Sequence, residues 1–289
     1  MSKLRIGTCS WKYNSWHGLV YSEPKPQNHL AEYSQKYNTV EIDQWFWSLF
    51  GVEKVALPSP STVREYVDSV LENFRFTVKI PNSITLTHYY RKKKTDPLVE
   101  NPHFLSLPLF SDFLHLISPM KEKLGPLMFQ FEYLNKHKMP NQDTFMEKFE
   151  KFLEQTDPDF QYAVEIRNPN YLNRSYFEFL RNLGISHVFL QGYYMPSVVS
   201  IYKKFENLLS DSVVIRLHGP DRSNIEDLSG GSWDRILEPK DIELKQIADI
   251  VRDLLDRKME VYLNVNNHYE GSAPLSIRRL EKFLAGGSS

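Results

Sequence analysis

The stretch Val213-Val214-Ile215-Arg216-Leu217-His218 decides the fold. Its β-branched and aliphatic residues favour a strand, and successive side chains of a strand point to opposite faces. Val213, Ile215 and Leu217 therefore share an apolar face, while Val214, Arg216 and His218 share a face that turns polar toward its carboxyl end. The arrangement recurs along the chain. In Val261–Asn266, Val261, Leu263 and Val265 oppose Tyr262, Asn264 and Asn266. In Tyr162–Arg167, Tyr162, Val164 and Ile166 oppose Ala163, Glu165 and Arg167. Thr39–Asp43 sets Val40 and Ile42 against Glu41 and Asp43, and Phe74–Ile80 sets Phe76, Val78 and Ile80 against Thr77 and Lys79. Gln130 and Gln191 are expected in similar late positions of Pro126–Phe131 and His187–Gln191, and Leu4–Cys9 is the first strand.

Between these runs lie segments of helical periodicity, at 28–37, 62–71, 104–117, 144–155, 176–183, 198–209, 242–257 and 275–284. Eight β-rich runs, each followed by a helix, predict an α/β fold, a (β/α)8 TIM-barrel-like single domain over 1–289. An open doubly wound sheet competes with it, but no glycine-rich fingerprint follows the first strand. In a barrel the apolar faces meet the helices. The late polar positions then gather at the carboxyl mouth, where barrel active sites are built.

Composition agrees with a large core. Hydrophobic residues make up 41% and charged residues 25% of the 289 positions, which excludes a disordered or collagen-like chain. Area scaling gives roughly 13,000 Å² of accessible surface when folded. Lys and Arg number 35 against 36 Asp and Glu, so no global charge draws the chain to nucleic acid or membrane. One cysteine, Cys9, excludes an internal disulfide and a cysteine-only zinc site. With no signal-like start and no apolar run of membrane length, the expected location is cytoplasmic.

The lumen set suggests chemistry. Arg167, Arg216 and Lys79 offer positive charge for phosphate or carboxylate. Glu41, Asp43 or Glu165 can act as base and His218 as acid or base. The expected catalytic groups are Glu41, Glu165 and His218; the expected substrate contacts are Lys79, Arg167, Arg216, Gln130, Asn264, Asn266, Trp11 and His88. A self-neutralising plug of the same charges is the alternative. Loops after the seventh and eighth strands lead to helix starts that could cradle phosphate, with Ser272 as N-cap and Pro274 in the first turn, although ordinary capping reads equally well. No cofactor motif is present. A divalent metal on Glu41, Asp43, Glu165, His218 and His268 is the alternative, without any HExxH or Cys/His spacing to support it. Cys9 reads as a small core residue, since no spacing pairs it with a base.

Aromatic residues reach 13%. Trp11, Tyr13 and Trp16 follow the first strand, Trp45, Phe46 and Trp47 the second, Tyr89 and Tyr90 the third, and Tyr193 and Tyr194 the sixth. They form either a stacking rim for a planar ligand or packing between loops. The cationic run Arg91-Lys92-Lys93-Lys94 is either a solvated face or a steering patch for an anionic polymer.

The chain resembles the DUF72 family (the YecE-like proteins), a group without an established biochemical role. The resemblance runs through Ile6-Gly7-Thr8-Cys9-Ser10-Trp11, Trp16-His17-Gly18, Tyr21, Thr39–Asp43, Phe76–Pro81, Ile84-Thr85, His88, Leu124–Gln130, Ala163–Arg167, Ile215–Gly219 and Val261–Asn267. It implies a TIM-barrel-like fold. Departures fall on the rim, at Gln44-Trp45-Phe46-Trp47, Phe131-Glu132-Tyr133, Asn168-Pro169-Asn170-Tyr171 and His268. Three functions are then open. The first is an enzyme acting on an anionic small molecule or phosphate ester at the mouth. The second is a metal-dependent phosphodiesterase of the endonuclease-IV-like type, by fold analogy alone. The third is a non-catalytic module for single-stranded nucleic acid. No membrane partner is expected.

Overall fold

A computed structural model describes residues 3–286 apart from 24, 52, 53, 92 and 94. Eight parallel strands close into a barrel in sequence order: β1 (Leu4–Thr8), β2 (Thr39–Ile42), β3 (Arg75–Lys79), β4 (Leu124–Phe131), β5 (Tyr162–Ile166), β6 (Ser186–Gly192), β7 (Ser212–Gly219) and β8 (Glu260–Val265). Around it run α1 (His29–Ser34), α2 (Pro60–Ser69), α3 (Asn82–Thr85), α4 (Leu107–Ile117), α5 (Gln142–Leu153), α6 (Arg174–Asn182), α7 (Val198–Phe205), α8 (Arg222–Ser229), α9 (Asp241–Asp256) and α10 (Ala273–Ala285). The expected barrel is the observed one, and its accessible surface is 13905 Å². Among the described residues no helix is long and apolar enough to cross a membrane.

Several helices start where a side chain can satisfy the free amides of the first turn. Ser59, Ser106, Asn141, Asn173 and Ser197 cap α2, α4, α5, α6 and α7 in this way. Ser272 stands at the cap position of α10 but makes no cap bond; Asn267 Oδ1 accepts from Ala273 N at 2.9 Å instead. The helix α8, which sequence reading left as loop, is capped by Asp221 and ends at Gly230 in the left-handed region.

Strand alternation sorts the interior into two cores. The outward faces of the strands and the helices make one large apolar shell that includes Val40, Val78, Phe129, Val164, Ile215 and Leu263. The lumen holds a separate apolar layer of Met128, Ala163, Val188, Val214 and Tyr262. Gly125 leaves room for the Tyr262 ring, into which any Cβ there would run. One expectation fails. β6 and β7 pair Leu190 with Arg216 and Gln191 with Leu217, so Gln191 points outward, contrary to expectation, and the register shifts directly after it. Gln191 donates to Glu243 of α9 and accepts from Val198 N at the start of α7. At the shift Gly192 lies against Gly219 with a φ of 136°, a close approach that no side chain would allow.

Candidate functional site

Two residues above the apolar layer, the same strand faces carry charge. Register places Glu41 beside Thr77, Gln130 beside Glu165, and Arg216 beside Asn264. Arg216 is the centre. Its Nε and Nη2 donate to the two oxygens of Glu41 at 2.8 and 2.7 Å, a bidentate fork across the barrel. Its Nη1 donates to Glu165 and, at 3.3 Å, to Gln130 Oε1. Four of its five N–H bonds are thereby used. Glu165 also accepts from Arg167 Nε at 2.9 Å. Asn264 Nδ2 donates to Thr77 Oγ1 at 2.8 Å.

Lys79 has no such partner. Its ammonium lies 4.0 Å from the centre of the Phe46 ring, and it makes no hydrogen bond or ion pair among the described residues, although the residue is only 8% exposed. Burial, helped by the Arg216 charge and opposed by Glu41, Asp43 and Glu165, brings its pKa down to about 8. Burial and then Glu41 push the Asp43 carboxyl up to about 6. Burial also works against the Glu165 anion, but Arg216, Arg167 and Lys79 outweigh it and hold the carboxyl at about 2. Two carboxyls a few residues above the same floor are thus driven apart.

His218 lies at the end of β7 with Nε2 3.5 Å from Cys9 Sγ and Nδ1 3.4 Å from the Tyr193 hydroxyl. Burial, then Arg216, Arg167 and Lys79, keeps its imidazole far below the usual range, hence neutral. Burial and Glu41 raise the Cys9 thiol well above its ordinary value, so the pair is thiol and imidazole, not thiolate and imidazolium. Cys9 does meet a base, contrary to the sequence reading. The partners come from opposite ends of the chain, and no local spacing could have joined them.

The other expected contacts divide. Glu41, Glu165, His218, Lys79, Arg216, Gln130 and Asn264 converge in the lumen, and Arg167 at the rim turns its guanidinium over the Tyr193 ring at 5.0 Å. Trp11 does not line the mouth. It is 1% exposed, inside the outer core, with its ring edge-on to Tyr66 at 5.1 Å. His88 sits in the loop after β3, its Nδ1 3.0 Å from Thr87 Oγ1 and its backbone bridged to Glu100. Asn266 caps the turn Asn267–Tyr269 by accepting from His268 N at 2.9 Å. The helix starts after β7 and β8 are capped by Asp221 and Asn267, the ordinary capping that the sequence also allowed. His268 pairs with Glu226 at 3.0 Å, away from Glu41 and Glu165, whose oxygens turn to Arg216. Among the described residues no three His, Cys, Asp or Glu side chains converge to hold a metal ion.

The rim carries exposed rings. Trp47 lies 6.3 Å from Tyr90 and Tyr133 lies 6.4 Å from Tyr194, and all four are at least 49% exposed. Of the cationic run beside Tyr90, Lys92 and Lys94 fall outside the described residues. A hollow of about 950 Å³ lies at the opposite pole, between the strand starts, among Lys3, Tyr162, Ser186, Ser212 and Glu260. It gathers none of the groups with strongly shifted carboxyl or amine chemistry. In barrels that pole serves stability.

A family model described as "Protein of unknown function DUF72" matches residues 5–288. The UPF0759 protein YecE of Escherichia coli K12 is 24% identical over 181 residues, which is 62% of this chain. That match covers 54% of the relative, so the chain spans about half the length of the curated relatives it matches. A DUF72 family protein of Thermotoga maritima MSB8 superposes with a TM-score of 0.68 at 24% identity, covering 98% of this chain and 99% of that one. One from Enterococcus faecalis V583 gives 0.68 at 20%, covering 99% and 97%. At these identities the structures speak for the fold.

Proposed function

The chain belongs to the DUF72 family, whose description assigns no function, and from the geometry of this member we propose that it is an enzyme acting at the carboxyl mouth on a small anionic molecule. The observation that carries the reading is Lys79, a largely buried residue whose ammonium has no hydrogen-bond or ion-pair partner among the described residues. An isolated buried charge costs several kcal/mol, so a site that keeps one is built for a counter-charge that arrives with a ligand. Arg167, partly exposed at the rim and held to Glu165 through Nε alone, adds a second cation. Arg216 has too few free N–H bonds to be the anion contact that the sequence suggested. It acts as a positioning residue that fixes Glu41 and Glu165. Asp43, with a carboxyl near 6, is better placed to exchange a proton near neutrality than Glu165, which stays ionised. A phosphate ester or a carboxylate would satisfy the cations equally.

Thermal unfolding with inorganic phosphate, oxalate or pyruvate tests the reading. At a hundredfold excess over Kd, a bound anion raises the melting temperature by about 5 °C, and Lys79→Met removes the rise. No shift with any of the three anions, or an equal shift in the variant, overturns the proposal. The exposed rings at Trp47, Tyr90, Tyr133 and Tyr194 favour a second reading, a single-stranded nucleic acid stacked over the mouth. Oligonucleotide affinity that falls steeply with salt would favour it over the first.

A further inference from the structure

We propose that Lys79 is a covalent catalyst, and that the substrate is an aldehyde or ketone that also carries a carboxylate or phosphate. The inference rests on the anion-binding reading above and names the substrate class of that site. Lysines that only bind anions are commonly exposed and hydrated; this one is held at the end of β3, sunk in the lumen with Phe46 under its ammonium and no hydrogen-bond acceptor on it. The groups that act on it come from every side. Arg216 of β7 repels it, while Glu41 and Asp43 of β2 and its flank, and Glu165 of β5, attract it. His218 of β7 is neutral, and Cys9, just past β1, keeps its proton. With Arg216 fixed beside it and the Glu41 and Glu165 charges already engaged by Arg216, the amine is poised to lose its proton near neutrality, as a nucleophilic lysine must.

The chemistry balances without an external oxidant or reductant. The neutral amine adds to the carbonyl carbon; the C–N bond forms as the π pair of C=O moves to oxygen. A proton passes from nitrogen to that oxygen by way of the Asp43 carboxyl, which gives the carbinolamine. Protonation of its hydroxyl by Asp43 lets water leave as the nitrogen lone pair forms the C=N bond. Amine, carbonyl compound and one proton have become an iminium ion and one water. The iminium keeps the single positive charge that Lys79 carried, so the surrounding carboxylates and Arg216 meet no new charge. The electron pair of an adjacent C–H bond then moves in to form the C=C of a neutral enamine, the C=N π pair settles on nitrogen, and the Asp43 carboxylate takes the proton.

Borohydride trapping decides the matter. The full chain is incubated near neutral pH with sodium cyanoborohydride and, separately, pyruvate, glyoxylate or dihydroxyacetone phosphate, and its peptides are weighed. At least one probe is expected to leave a reduced adduct on Lys79, roughly a hundredfold faster than on exposed lysines whose amines stay charged. The adduct is absent in Lys79→Arg, and if that variant does not fold, the wild-type peptide map alone gives the answer. Wild-type protein that gains thermal stability from an anion yet leaves Lys79 unmodified overturns the inference and spares the binding site. Adducts spread evenly over exposed lysines also overturn it. Neither adduct nor thermal protection removes both readings.

Discussion

The lumen of this barrel has two storeys built from the same faces of the same strands. The lower one, Met128, Ala163, Val188, Val214 and Tyr262, is apolar and complete in itself. Two residues further along, Gln130, Glu165 and Arg216 continue those strands, joined by Glu41 and Lys79, and nearly every group depends on a partner across the barrel. Both storeys are buried, so exposure does not explain the contrast. Well-packed apolar residues commonly serve stability as well as or better than a buried ion pair. The upper storey is therefore poorly explained by folding alone, and the lower one shows what folding alone selects.

The largest expected effect breaks the upper storey at its hub. Arg216→Leu leaves Glu41 without its ion-pair partner and Glu165 with Arg167 alone, and should cost about 3–5 kcal/mol in urea unfolding. Converting all three to apolar residues, with Glu41→Leu, Arg216→Leu and Glu165→Met, should recover most of that loss. A triple variant as unstable as the single one would mean that the storey is structural. A smaller effect probes the floor. Val214→Ala removes two methyl-sized groups from a dry layer and should cost about 2 kcal/mol, with anion-induced thermal shifts unaltered.

The smallest change sharpens the boundary. The folded-state value of Asp43, about 6, lies above its ordinary 3.8. The folded chain therefore holds that proton longer than the unfolded chain, so this group makes stability fall as pH rises from about 4 to about 6, and the penalty persists above. Asp43→Asn should stabilise the protein at pH 7 by about 1–2 kcal/mol, after allowance for solvent at the mouth. It should also flatten the pH dependence in that window. An unchanged slope would show that the carboxyl is not strained.

The barrel was legible because period-two alternation is a local property and repeats in every strand. Glu41, Lys79, Glu165 and Arg216 could be assigned to one chamber from parity alone. Gln191 was misplaced because it was judged by its late position in the strand; alternation from Val188, which faces the lumen, already turns it outward with Phe189, and the register is regular up to it. Trp11 was placed by its position after a strand, yet a long apolar ring can turn back into the helix layer, and the choice depends on Tyr66, far along the chain. The partners of Arg216 were less legible still. Six ionisable groups admit several neutral pairings, and only the closed barrel shows that, among the described residues, Lys79 and Asp43 are left without a side-chain hydrogen bond or ion pair. The meeting of Cys9 and His218 was beyond any local pattern, for it exists only once the cylinder closes.

The packed floor under the charged storey has one more consequence. With Tyr262 filling the space that Gly125 vacates, the chamber is a blind alley. A ligand bound above that floor, as proposed here for Lys79, has to withdraw by the way it came. In the proposed reaction the released water has to exit past the molecule that produced it, which ties turnover to the residence time of the guest.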